Sequence, residues 1–329
     1  MKERLNYIDF MKTSGIYLIV LGHMFPSPGT NFIYSFSVPL FFFISGFLFY
    51  QQKNFNTFFI RNFHSLIIPY LFINCISLIF VVCFSSSFSW KQSVLTPLLG
   101  VLIGANQGKM SVCAITRPTW FIYTLFILRI SCFFIPYKKT VLFFVIFSCI
   151  SITLILNNLE LPNLAFLNCF SVAPLFILGI FCRKKIYIIE KYTKKINRLL
   201  CIIITFSLLI LLSQYNGYVQ CYAHNYGNNI ILFYINAVLG IYTLFLITTY
   251  LNNLSFKWNK TISQGTILIL GFHYLFIIFF NEIYKTNNLG ITMLYALFII
   301  IIIIIIFIPI IQFIHNYFPW IIGKNKNTN

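Results

Sequence analysis

Residues 290–318 read GITMLYALFIIIIIIIIFIPIIQFIHNYF, with isoleucine at every position from Ile299 to Ile306 and no Asp, Glu, Lys or Arg. About 20 apolar residues in an α-helix are enough to cross the hydrocarbon core of a bilayer. Lipid offers no partner to an unpaired backbone group, so even β-branched residues are held in a helix there. This stretch therefore predicts a membrane-spanning helix, long enough to tilt or to extend past the membrane face.

Similar apolar runs follow one another along all 329 residues. Only 9% of the residues are charged, against roughly 25% in soluble domains, and the mean hydropathy is +0.87. That is too little polar surface for a water-soluble fold. We predict an all-α integral membrane protein, a single domain over 1–329 with about ten transmembrane helices. The predicted spans are 8–26, 32–50, 64–84, 119–136, 140–157, 165–182, 199–214, 229–251, 264–281 and 290–318.

The net charge of +18 comes from short basic clusters between the apolar runs. With the N-terminus inside, 17 Lys and Arg fall in cytoplasmic segments and 4 in external ones, which is the bias that orients membrane proteins. The pattern predicts that both termini are cytoplasmic, and it argues against nucleic-acid binding. The bias toward Ile, Phe, Asn and Lys is typical of an AT-rich, bacterial genome, and we expect a multi-pass protein of the bacterial inner membrane. The nine cysteines are scattered without a CxxC pair, so we predict no metal site.

Two predicted external loops, 85–119 and 214–228, are long enough to contribute to a site. They contain Asn, Tyr and Trp, which combine hydrogen-bonding groups with flat faces and suit a carbohydrate ligand. The same residues are common at membrane interfaces. Both interpretations stay open for these loops.

Ionisable residues inside a bilayer are costly and therefore mark candidate functional sites. Five lie well inside predicted spans, namely Asp9, Lys12, His23, Arg129 and His273, whereas His64 and His315 lie at span ends. Lys12 and His23 are eleven residues apart, which is about three helical turns, so they share one helix face roughly 16 Å apart. Asp9 lies one turn before Lys12 on that face. The alternative is that Lys12 and His23 extend to the two membrane interfaces.

The segments Arg4–Lys12 and Leu21–His23, followed by SVPLFFFISGF at 37–47, resemble the opening of the membrane acyltransferase 3 family. The resemblance is most specific in the first 70 residues. Weaker similarities are Arg61 to Tyr70, Trp120–Tyr123, Pro174–Gly179 and Ile262–Ser263 to His273. The resemblance implies an enzyme that O-acylates sugars of surface polysaccharides, in the short form without an extracellular esterase-like domain.

The family motif is a basic residue, ten intervening residues and a histidine, which Lys12 and His23 match with lysine in place of the usual arginine. A second motif, two arginines three apart, is represented by Arg61 with His64 at the other position. The resemblance implies that His23 is the general base, because imidazole can take a proton from a hydroxyl near neutral pH. Lys12 and Asp9 complete the predicted catalytic set on the first helix.

An acyl donor must be activated, and a cytoplasmic acyl-CoA, most simply acetyl-CoA, is the expected co-substrate, with no tightly bound cofactor. Its phosphates would bind cytoplasm-facing cations, for which Arg61 and Lys12 are candidates. Arg129 could stabilise the thioester oxyanion or pair internally with Asp9. Asp9 lies fourteen residues from His23, roughly 21 Å, which excludes a triad built on the first helix alone.

His273 and Trp120 form a possible second site, the histidine through its similarity to a late family histidine. Each has a plainer interpretation, His273 as a packing residue and Trp120 as an interfacial aromatic. Ser45 and Gly46 are expected to permit close helix packing, not to act as nucleophiles.

Two other functions stay open. A polysaccharide or glycolipid transporter without acyl transfer would also have many helices and a polar stripe, although related halves with broken helices are not evident. A structural assembly subunit is the third possibility. The predicted function is transfer of an acyl group from acyl-CoA to a sugar hydroxyl of a surface polysaccharide or its lipid-linked precursor.

Overall fold

The computed structural model describes residues 5–24, 29–84, 95–105, 118–157, 159, 164–184, 197–283 and 289–323. Among these residues every regular element is a helix, apart from isolated bridges between Ala105 and Leu164 and between Gln220 and Asn225. The helices are α1 (Asn6–Met24), α2 (Asn31–Phe47), α3 (Phe55–Asn62), α4 (Ile68–Phe84), α5 (Leu95–Ile103), α6 (Trp120–Phe133), α7 (Lys139–Asn157), α8 (Asn168–Lys184), α9 (Arg198–Asn216), α10 (Ile230–Tyr250), α11 (Lys257–Gln264), α12 (Thr266–Ile283) and α13 (Leu289–Tyr317).

Each of the ten predicted spans falls on a helix in the described part of the chain. Five helical segments are long and apolar enough to cross a membrane, or six if a bent pair forms one span, and three more apolar helices are shorter. The multi-pass helical character is therefore confirmed. The count of ten and the cytoplasmic position of the termini stay predictions.

The predicted loop at 85–119 is partly wrong, because the apolar segment LTPLLGVLI forms α5. Of that loop, the structure also describes Gly104, Ala105, Pro118 and Thr119; its other residues outside α5 lie outside the described part. Helices α3 and α4 are joined by a π-helical turn, Phe63–Ile67, so that they continue one another.

Helix α2 packs along α8 at very short range. A Cβ at Gly46 would strike the backbone carbonyl of Phe176, and a Cβ at Gly179 would strike that of Phe43. Only residues without side chains allow the two backbones to approach this closely. The expected packing role of Gly46 is confirmed.

Helix α1 lies inside the bundle, in contact with α2, α10, α11, α12 and α13. By contrast, α7 exposes Phe143, Phe144 and Phe147, each about two-thirds or more accessible at 65%, 72% and 70%. Large apolar side chains on an outer helix are what lipid contact requires. The polar residues of α1 are thus turned toward protein while the outer helices face the bilayer.

Helices α11 and α12 meet at Gly265 with a bend of 83°. The N–H of Gly265 bonds to the carbonyl of Thr261 at 3.1 Å and closes α11. Ile311 of α13 occupies the space that a Cβ at Gly265 would need. The bend directs α12 so that His273 approaches the end of α1.

Candidate active site

His23 lies in the last turn of α1 and is surrounded by three aromatic side chains. Its ring centroid is 5.9 Å from that of Tyr34, 5.2 Å from that of His273 and 4.9 Å from that of Tyr274. Helices α1, α2 and α12 therefore converge on this imidazole. The structure brings together His23 and His273, two predicted residues that are 250 positions apart in the sequence.

His273 is fully buried, and its hydrogen bonds define which ring nitrogen carries the proton. Nδ1 lies 2.9 Å from the carbonyl oxygen of Ile269 and 3.0 Å from that of Leu270. Carbonyls only accept, so Nδ1 donates and Nε2 holds the lone pair. Nε2 has no hydrogen-bond partner in the described part of the protein, so this nitrogen is an unused acceptor beside His23.

A cavity of about 460 Å³ opens against His23. Its wall combines aromatic rings with hydroxyl and amide groups, and it contains no Asp, Glu, Lys or Arg among the described lining residues. The wall is formed by Ile16, Ile19, Gly22, His23, Thr30, Tyr34, Ser37, Val38, Phe41, Pro118, Trp120, Phe121, Tyr218, Val219, Gln220, Cys221, Tyr222, Thr266, Ile267, Leu270 and Tyr274.

Trp120 forms part of this wall and is only 6% exposed, which is inconsistent with an interfacial aromatic in contact with lipid. Ser37 is also buried there, and its hydroxyl has no partner in the described residues. A buried hydroxyl without a partner is costly. It is therefore available to a molecule that occupies the cavity.

The segment 214–228 covers the cavity, as one of its two sequence interpretations requires, and is held by Asn216. The Asn216 amide donates to the carbonyl of Tyr226 at 2.9 Å and accepts from the backbone N–H of Asn229 at 2.8 Å. Gly227 adopts a positive φ of 78° against Asn216, where a Cβ would collide. These contacts place Tyr218–Tyr222 over His23.

Asp9 and Lys12 lie toward the opposite end of α1. Asp9 is buried and accepts a 2.6 Å hydrogen bond from the Ser263 hydroxyl of α11. This contact links the opening motif to the late Ile262–Ser263 segment. Neither Asp9 nor Lys12 is among the residues that line the cavity at His23, so a direct role for them in proton transfer stays a prediction.

Arg129 does not pair with Asp9, and that alternative is wrong. Its Nη1 donates to the Ser45 hydroxyl at 3.2 Å, and its guanidinium lies 5.6 Å from the ring centroid of Phe49. Ser45 thus anchors a cation, in addition to its expected packing role. The Nε of Arg129 has no partner in the described part of the chain.

Two further arginines approach the same region. Arg61 interacts electrostatically with Arg129, and Arg183 donates to the backbone carbonyl of Phe49. Like charges repel, so an anion bound among these side chains would relieve the repulsion. Of the predicted residues, His23 and Trp120 therefore line the cavity, and His273 packs against His23 without being part of the wall. Arg61 and Arg129, like Asp9 and Lys12, lie away from the wall.

Tyr34, Ser37 and Tyr274 were missed as site residues, and Tyr218 and Gln220 were covered only by the prediction for the loop 214–228. Two signals were available in the sequence. Tyr34, Ser37 and Phe41 recur at helical spacing, the last two inside the SVPLFFFISGF segment, and Tyr274 follows His273 directly. Within the described residues, no group of three or more His, Cys, Asp or Glu is arranged to hold a metal ion.

A family model described as an acyltransferase domain matches residues 5–312, nearly the whole chain. No curated protein and no solved structure matches the sequence.

Proposed function

The chain belongs to the membrane acyltransferase 3 family, and we propose that it moves an acyl group, most simply acetyl, from cytoplasmic acyl-CoA to a sugar hydroxyl of a surface polysaccharide or its lipid-linked precursor in a bacterial inner membrane. The observation that carries the proposal is His23 in the wall of a 460 Å³ cavity lined by aromatic and hydroxyl groups.

His23 is the general base of this reaction. It takes the proton of the sugar hydroxyl as the oxygen attacks the thioester carbonyl, so that a C–O bond forms and the C–S bond breaks. The proton then passes from His23 to the departing CoA thiolate. His23 lies at the C-terminal end of α1, and the partial negative charge of a helix C-terminus stabilises the imidazolium that forms.

The acceptor is an uncharged sugar unit. Trp120, Phe121 and the tyrosines of the loop offer flat apolar faces, while Ser37 and Gln220 offer hydrogen bonds. The described wall supplies no charged partner, and burying an unpaired charge is costly. A neutral sugar therefore fits this wall better than a uronic acid or a sugar phosphate does.

The donor is bound from the other end of the bundle. Arg61 and Arg129 are close enough to interact electrostatically, and phosphate groups make strong, often bidentate, contacts with arginine. Lys12 lies on α1 between this end and His23. The arm that carries the thioester would have to cover roughly 16 Å along α1 to reach from Lys12 to His23.

Two measurements test the proposed reaction. Mass spectrometry of the surface glycan from cells with and without this protein should reveal loss of one acyl increment. Inverted membrane vesicles, which present their cytoplasmic face, should incorporate label from acetyl-CoA, whereas right-side-out vesicles should not. An unchanged glycan mass, or equal labelling in both orientations, would contradict the proposal.

One observation favours the transporter alternative. Helices α11 and α12 form a pair broken by 83°, and broken helices at a central site are common in transporters. Proteoliposomes loaded with the glycan precursor distinguish the two functions. Flux without acyl-CoA would indicate transport, and acylation without flux would indicate the enzyme.

A further inference from the structure

Tyr34 contacts the end of α1 through both its ring and its hydroxyl. The Tyr34 hydroxyl lies 2.7 Å from the carbonyl oxygen of Gly22. That carbonyl belongs to the last four of α1, which have no partner within the helix. A Cβ at Gly22 would come within 3.2 Å of the Tyr34 ring, so glycine in the Leu21–His23 motif makes room for this contact.

The same hydroxyl lies 3.4 Å from Nδ1 of His23. A phenol has one proton to donate, and the shorter bond to a carbonyl, which can only accept, uses it. The oxygen of Tyr34 is then an acceptor toward the imidazole. A hydrogen bond between the two requires that Nδ1 of His23 carries the proton.

We infer that Tyr34 is a positioning residue, which holds His23 as the Nδ1–H tautomer through its phenolic oxygen and so makes Nε2 the basic nitrogen. This inference rests on the proposed function, because the tautomer matters only if His23 accepts a proton from the acceptor hydroxyl. The group bonded to one imidazole nitrogen determines the role of the other.

A phenolic oxygen takes the place that a carboxylate occupies in a Ser-His-Asp triad. Asp9, the acidic residue nearest to His23 on α1, is too far away, and the cavity wall contributes no carboxylate among its described residues. The phenolic oxygen is a neutral hydrogen-bond acceptor, so it orients the imidazole ring without adding a negative charge to the apolar interior. In the Nδ1–H tautomer the unprotonated Nε2 of His23 is the atom that accepts the proton of the sugar hydroxyl.

Nitrogen-15 NMR of protein labelled at histidine tests the tautomer directly in the full-length protein in nanodiscs. The His23 signals are assigned by their loss in His23→Gln. Wild type should show a protonated Nδ1 and an unprotonated Nε2 for His23. Tyr34→Phe keeps the aromatic ring but removes the phenolic oxygen, so the two tautomers of His23 should become mixed.

Kinetics give the second readout. In Tyr34→Phe the kcat should fall about tenfold to a hundredfold, as for other groups that orient a histidine, with little change in KM for acyl-CoA. The matched control is Tyr234→Phe, which removes a 2.9 Å bond from a tyrosine hydroxyl to the Ser171 carbonyl away from the cavity. That variant should keep both the wild-type kcat and the wild-type His23 tautomer.

The results separate the inference from the proposed function. A wild-type His23 protonated at Nε2, or an identical tautomer in Tyr34→Phe, overturns the role of Tyr34 even if acyl transfer is established. If His23→Gln transfers acyl groups as fast as wild type, the proposed function fails whatever the tautomer. A loss of activity in Tyr34→Phe that appears only as a raised acceptor KM would also overturn the positioning role.

Discussion

The close packing of α2 on α8 makes a quantitative prediction for Gly46→Ala. The new Cβ would meet the backbone O, C and Cα of Phe176, and main-chain atoms cannot rotate away. Overpacking typically costs 1–3 kcal/mol, so we expect about 3 kcal/mol here. Alanine regains about 1 kcal/mol of helix propensity over glycine, which leaves a net loss of about 2 kcal/mol.

Gly15→Ala is the matched control on the neighbouring helix. There the new Cβ would meet the Leu40 side chain at 2.7 Å and the Phe41 ring at 2.9 Å. These are side-chain atoms that can move, so a cost of about 1 kcal/mol is offset by the gain in helix propensity. Gly15→Ala should therefore be nearly neutral.

Both variants are measured by thermal unfolding in detergent with a thiol-reactive dye. The increase in signal above that of the exposed Cys75 reports exposure of the buried cysteines Cys132 and Cys221. Gly46→Ala should melt about 4 °C or more below wild type, and Gly15→Ala close to it. Because α2 carries Tyr34 and Ser37 into the cavity, Gly46→Ala should also lower acyl transfer. Equal melting temperatures for the two variants would refute the reasoning.

Three further outcomes are expected. Arg129→Gln should raise KM for acyl-CoA about tenfold or more, because roughly one charge-assisted hydrogen bond is lost. KM for the acceptor should stay unchanged. An unchanged KM for acyl-CoA would exclude Arg129 from the donor site. Ser37→Leu should raise KM for the acceptor but not for acyl-CoA, because the larger side chain fills the cavity; steady-state kinetics with each substrate varied checks this. Burial lowers the pKa of His224 below its ordinary value of 6.5. The folded state, which holds His224 neutral, therefore has its full stability above pH 6.5 and loses part of it as the pH falls through the lowered pKa. Between pH 7 and about pH 4 the melting temperature should fall less in His224→Asn than in wild type. An equal fall in the two proteins would contradict this role of His224.

The membrane character and the helical segments could be predicted because lipid imposes a simple rule of length and apolarity on each segment. Helix α5 was missed because the rule was applied to full-length spans, and LTPLLGVLI is too short to meet it. The sequence also could not show that Ile311 of α13 supports the bend at Gly265, since packing between distant segments leaves no local pattern.

For the site, the geometry of a single helix placed His23 and Lys12 on one face. It could not identify which residues of other helices contact them. Asp9 accepts a hydrogen bond from Ser263, and Arg129 donates one to Ser45. An ion pair between Asp9 and Arg129 had been an open alternative. The contact of His23 with His273 depends on how α12 leaves the bend at Gly265. The family resemblance suggested both histidines, and the fold supplies the reason for their proximity.

Acyl transfer by purified protein with label in the acyl group of acetyl-CoA and a lipid-linked neutral sugar as acceptor tests His23 most directly. We predict that His23→Ala transfers label at least about a hundredfold more slowly than wild type. His315→Ala, a histidine change in α13 away from the cavity, should keep the wild-type rate. If His23→Ala transferred label as fast as His315→Ala, a base at position 23 would be ruled out.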